Sequence, residues 1–169
     1  PSRAKDLLND LSKKELNVIL RSQGQKITPD TDIYIADTMG ELGIFYRLAP
    51  IVFTGGSLVE HGGQNPLEPA RLECAIIFGP NMYNFSEIKN ELERQNAAIT
   101  VKDQEGLRKT VEELILDHDK QVKMASAALN LVEEKNGILD SYIEEISPFI
   151  DKISNKDKDE DKTAQMLEA

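Results

Sequence analysis

Two glycine-rich turns hold the residues best suited to chemistry. The first is Asp37-Thr38-Met39-Gly40-Glu41-Leu42. Thr38 with Glu41 three residues later has the spacing of a capping box, and Gly40 lets a ligand approach the backbone with no Cβ in the way. The second runs Gly55-Gly56-Ser57-Leu58-Val59-Glu60-His61-Gly62-Gly63-Gln64-Asn65-Pro66-Leu67-Glu68-Pro69-Ala70. Here two Gly-Gly pairs lead to a helix start, with Asn65 as N-cap, Pro66 at the first helical position and Glu68 three residues after the cap. Backbone amides freed by paired glycines and aimed with a helix N-terminus suit a phosphate. Glu68 is placed to accept from ribose hydroxyls, as acidic residues do in other nucleotide sites. The same spacings also fit plain capped turns, and residues alone leave both readings open.

The other reactive side chains form no set. His61 stands within the glycine loop, where a general base is conceivable but an exposed or hydrogen-bonding role is commoner. His118 falls in the junction Asp117-His118-Asp119, an exposed position between helices. Two distant histidines and the single Cys74 give no metal-ligand set, and no nucleophilic triad can be assembled. Asp30-Thr31-Asp32 has the look of a metal-binding acidic triplet, but it follows Pro29 and precedes a strand, so it reads as a turn.

These turns need elements to position them. Seven of the ten glycines lie between Gly40 and Gly79, among short apolar runs. Ile33 to Ala36, Ile51 to Phe53 and Ala75 to Phe78 have the length and composition of buried strands. Helical spacing separates them at Glu41 to Leu48 and Pro66 to Leu72. The alternation continues with a helix over Ser86 to Arg94, a strand over Ala97 to Val101 and a helix over Gln104 to Leu116. Two further helices follow, Lys120 to Lys135 and Ile138 to Ile150, broken at Asn136-Gly137. Upstream, Ala4 to Leu11 reads as a helix and Asn17 to Leu20 as a short strand. This order predicts an α/β fold, a Rossmann-like sheet of four or five parallel strands flanked by helices. Residues 1–150 form the expected domain, and residues 151–169 read as a charged, disordered tail.

The bulk properties bound what such a domain can bind. At 169 residues, 40% hydrophobic and 30% charged, the chain has room for one globular domain. A net charge of −10 argues against non-specific nucleic-acid binding, although one phosphate needs only a few aimed donors. The lone cysteine permits no intrachain disulfide, which suits a reducing compartment. No apolar run approaches the roughly 20 residues that span a bilayer. The start at Pro1, with neither initiator Met nor signal peptide, reads as that of a fragment or processed product.

The run Gly55-Gly56-Ser57-Leu58 with Gly62-Gly63-Gln64-Asn65-Pro66-Leu67-Glu68-Pro69-Ala70 closely resembles the pattern of the 3-deoxy-D-manno-octulosonic acid (Kdo) transferases of lipopolysaccharide synthesis. So do Asp37-Thr38-Met39-Gly40-Glu41-Leu42 and Phe78-Gly79-Pro80-Asn81-Met82-Tyr83-Asn84-Phe85, in the family's order and spacing. Gln64 departs from the histidine often found at its position. The resemblance, which covers roughly residues 1–150, implies the carboxy-terminal, donor-binding half of a GT-B glycosyltransferase, truncated at its amino end. It implies that Met39, Gly40, Glu41, Asn65, Pro66, Leu67 and Glu68 contact the cytidine monophosphate (CMP) part of CMP-Kdo. Gly56, Ser57, Gly62, Gly63 and Gln64 would form the supporting loop. A Pro-Arg-His contact would fall just before Pro1. The catalytic base, the surface for the acceptor (the lipid A precursor lipid IVA) and the membrane anchor would all belong to the amino-terminal half. The full-length enzyme would work at the cytoplasmic face of the bacterial inner membrane. Neither a metal nor a cofactor is implied, and this piece alone would be soluble and inactive. Two other readings are a GT-B enzyme or epimerase using a uridine donor, and a non-catalytic α/β module whose acidic tail binds a basic partner.

Overall fold

A computed structural model describes residues 3–135, 137 and 145–148 of the chain. They fall into two compact units, residues 1–48 and 49–169.

The first unit opens with helix α1, Ala4–Ser12. Strands β1, Val18–Leu20, and β2, Ile33–Ile35, then pair in parallel, with Val18 opposite Ile33 and Leu20 opposite Ile35. A 3-10 turn over Arg21–Gln23 leaves β1 and closes on Gly24 at φ +63°, a left-handed conformation that costs glycine nothing. The Thr31 amide donates to the Thr28 carbonyl at 3.0 Å, closing a turn over residues 28–31, and Asp32 then accepts from the Asn17 amide at 2.8 Å at the entry to β2. Helix α2, Leu42–Leu48, follows β2 and sets Phe45 against Tyr34, ring centroids 5.8 Å apart.

The second unit is a three-stranded parallel sheet in the order β3 (Ile51–Phe53), β4 (Ala75–Phe78), β5 (Ala98–Thr100). All four residues of β4 are fully buried, as a central parallel strand covered on both faces must be. Side-chain alternation sends Ile76 and Phe78 to one face, where they pack with Leu92, Ala128, Leu131 and Val132. Ala75 and Ile77 point to the other, against Leu114 and Met124. Helices cover both faces: α3 (Leu67–Arg71), α4 (Ser86–Arg94), α5 (Gln104–Leu116) and α6 (residues 118–135). Burying each large apolar side chain here contributes about 1.5–3 kcal/mol. Asp103 caps α5, its Oδ1 accepting from the Gly106 amide at 2.8 Å, which adds about 1 kcal/mol.

The expected four or five parallel strands are present as five, hydrogen-bonded as a pair in the first unit and a trio in the second. Apolar periodicity reveals that a strand exists; its neighbour is chosen by tertiary packing. Gly137, expected at a helix break, is itself helical; a lone glycine weakens a helix by only about 1 kcal/mol. Asn136, most of Ile138 to Ile150 and the whole tail over 151–169 lie outside the described residues.

Candidate functional site

Both glycine-rich turns leave the carboxyl ends of parallel strands, the end at which open α/β sheets bind ligands. In the first unit the turn after β2 carries Met39, Gly40 and Glu41. Gly40 sits at φ +81° with open space where a Cβ would stand, and Met39 is 80% exposed. The expected capping box is not formed. A helical residue cannot hold Gly40's left-handed φ, so α2 starts only at Leu42 and Glu41 is not in its first turn. Instead the Glu41 carboxylate accepts from two side chains. Arg21 reaches it from the turn after β1, Nη2 to Oε1 at 2.7 Å and Nε to Oε2 at 3.2 Å. Thr38 Oγ1 donates to Oε2 as well. These bonds, Arg21's first, hold the Glu41 carboxyl below the ordinary glutamate range and so ionised at neutral pH. Beside them, Ser22 gives its amide and hydroxyl to Asp37 at 2.8 and 2.6 Å. The hydroxyl bond is the main reason that the Asp37 carboxyl also titrates low.

In the second unit the long glycine loop is shaped by the segment after β4. Buried Ser57 is the rivet: its Oγ donates to the Thr54 carbonyl at 2.5 Å and accepts from the Gly79 amide at 2.7 Å. Its carbonyl takes the Asn81 amide at 2.9 Å. A Cβ on Gly79 would sit 2.2 Å from that carbonyl oxygen, so the two backbones touch as only glycine allows. Gly62 (φ +93°) and Gly63 (φ +75°) are buried against Asn84, Tyr83 and Met82, and a Cβ on Gly63 would lie 2.1 Å from Met82 Sδ. Gly62 and Gly63 therefore leave no room for a side chain, and the loop packs closely against the segment after β4. Gln64, Asn65 and Glu68 are exposed beyond them, while Pro66 is buried.

Helix α3 begins at Leu67, one residue later than expected, because the first helical bond runs from the Ala70 amide to the Pro66 carbonyl. The N-cap position therefore falls to Pro66, which makes no side-chain cap bond, and Asn65 stands one residue outside the helix, its Oδ1 accepting from the Leu67 amide at 3.0 Å. This corrects the phosphate reading. Pro66 and Pro69 carry no N–H, and the Leu67 amide is taken by Asn65, so of this first turn only the Glu68 amide is left for an anion. The chemistry on offer is side-chain chemistry: the Asn65 amide group and the Glu68 carboxylate.

His61 and His118 are exposed, and His118 Nδ1 lies 3.0 Å from Gln121 Oε1. Among the described residues no group of His, Cys, Asp and Glu is arranged to hold a metal, and no helix is long and apolar enough to cross a membrane. A cavity of about 780 Å³ lined by Gln95, Asn96, Asp117, Lys120 and Met124 lies before β5, at the amino end of the sheet and away from the glycine loop. Sequence reasoning missed Arg21 and the roles of Ser57 and Asp103. Only Asp103, directly ahead of Gln104, left a local signal.

Parallel strands flanked by helices, with glycine-rich turns at their carboxyl ends, define a Rossmann-like α/β domain. No family model matches the chain. The structure is similar to the crystal structure of the C-terminal CMP-Kdo binding domain of WaaA from Acinetobacter baumannii, with a TM-score of 0.74 and 32% identity, covering 78% of this chain and 68% of that one. In sequence it is 38% identical to the 3-deoxy-D-manno-octulosonic acid transferase of Rickettsia typhi over 153 residues, 89% of this chain and 33% of the relative. The enzyme of the same name from Haemophilus influenzae is 30% identical over 90% of this chain and 36% of its own length. The chain belongs to the 3-deoxy-D-manno-octulosonic acid transferase family and corresponds to its carboxy-terminal domain. It spans about a third of the length of these curated relatives.

Proposed function

We propose that this chain is the part of a Kdo transferase that holds the CMP moiety of CMP-Kdo, and that the longer protein transfers Kdo to a lipid A precursor at the cytoplasmic face of the bacterial inner membrane. The observation that carries this is the 32% identity, at a TM-score of 0.74, to a domain described as CMP-Kdo binding. Met39, Gly40 and Glu41 are assigned to the donor in one unit, and Asn65, Pro66, Leu67 and Glu68 in the other, with residues 1–150 serving as the donor-binding domain. Gly56, Ser57, Gly62, Gly63 and Gln64 are assigned the support of the second turn.

The chemistry divides accordingly. Transfer needs an acceptor hydroxyl, a base to take its proton and stabilisation of the departing phosphate. The residues assigned here orient the leaving nucleotide. The base and the acceptor surface are assigned to the part of the longer relatives that this chain does not span. Calorimetry on the 169-residue chain with CMP and with UMP tests the reading. CMP binding with UMP at least tenfold weaker supports it; equal affinities, or binding of UMP alone, would refute it.

A further inference from the structure

We propose that Arg21 is a positioning residue of the donor site, fixing through its two-point hold the carboxylate with which Glu41 meets the nucleotide. This rests on the assignment of the Met39-Gly40-Glu41 turn to the donor.

The geometry lies within the first unit. Arg21 begins the turn after β1 and Glu41 ends the turn after β2, so two adjacent parallel strands deliver them to the same end. Twenty positions apart in sequence, they meet at 2.7 and 3.2 Å. The turn between Thr38 and Glu41 has no apolar anchor: Met39 is 80% exposed and nothing lies within 4 Å of the place a Gly40 Cβ would take. Its conformation therefore depends on polar ties, and Arg21 supplies a side-chain tie that reaches the Glu41 carboxylate from outside the turn. A guanidinium suits this because its rigid fork fixes the carboxylate's plane as well as its place, which a lysine ammonium does not.

Calorimetry of CMP and of cytidine on the 169-residue chain decides the matter, using Arg21→Ala, Arg21→Lys, Glu41→Gln and Arg21→Ala with Glu41→Gln. Arg21→Ala is expected to weaken CMP by about tenfold, Arg21→Lys by less, and cytidine to weaken in parallel with CMP. In the Glu41→Gln background, Arg21→Ala should cost no more than about twofold, because its effect runs through Glu41. Ser22→Ala cuts the neighbouring tie without touching Glu41; it should lower the melting temperature while leaving CMP affinity within about twofold. If Arg21→Ala does not fold, the Lys variant in both backgrounds gives the same comparison. An Arg21 effect undiminished by Glu41→Gln, one confined to CMP and absent with cytidine, or no effect at all would overturn the proposal while the donor reading stands. Failure of the wild-type chain to bind CMP would overturn both.

Discussion

At the residue scale, two of the glycines singled out by sequence, Gly40 and Gly63, prove to differ in kind. Gly40 stands in the open at φ +81°, so Gly40→Ala meets only the backbone cost of about 1–2 kcal/mol. Gly63 faces Met82 Sδ at 2.1 Å as well as holding φ +75°, and Gly63→Ala should destabilise by about 2–4 kcal/mol. Thermal melting of the two variants should rank them in that order. Glu68 is exposed and forms none of the packing of α3. Glu68→Ala is therefore expected to melt within a degree or two of wild type, yet to lose about ten- to a hundredfold in the full-length enzyme's specificity constant for CMP-Kdo, since a hydrogen bond to a charged group contributes about 1.5–3 kcal/mol. Normal donor kinetics with a lowered melting temperature would instead make Glu68 a structural residue. Burial pushes the Cys74 thiol up to about 11, so iodoacetamide at pH 8 should label it only as the protein unfolds. Sequence marked the two glycines as places where the backbone needs room, but not what each one faces. A φ sign and a contact with Met82 depend on chain segments that meet only in the fold.

At the scale of elements, local pattern was enough wherever an element packs by its own period. The bounds of α4 and α5, and the existence of all five strands, follow from apolar spacing and flanking turns. Partner choice and the tie between loops do not. Ser57 looks like one polar residue in a flexible loop, yet it joins the loop after β3 to the turn after β4 through Thr54 and Gly79. Ser57→Ala removes both bonds and leaves a buried amide without its acceptor, so it should destabilise by about 1–3 kcal/mol. Denaturant unfolding with an unchanged m-value would measure that loss. A variant as stable as wild type would mean that water or a rearranged Thr54 replaces the hydroxyl. The capping box at Thr38 was misread for a related reason: the spacing was right, but Gly40's left-handed φ delays the helix and diverts both side chains to other bonds.

At the scale of the molecule, the fold displays the turns at the carboxyl ends of parallel strands, where the proposed function puts the nucleotide. The chain's net charge of −10 makes it unsuited to gathering anions by its overall field. On the proposed assignment, recognition of a nucleotide is local, through the Arg21–Glu41 pair in one unit and Asn65 and Glu68 in the other. The direct test is to follow the backbone amides of the ¹⁵N-labelled chain by nuclear magnetic resonance as CMP is added. The amides of Met39, Gly40, Glu41, Asn65, Leu67 and Glu68 are predicted to shift in a saturable way that UMP does not reproduce. Shifts confined to the cavity around Asn96, Lys120 and Met124, or an identical response to UMP, would contradict the assignment of this chain to the CMP part of the donor.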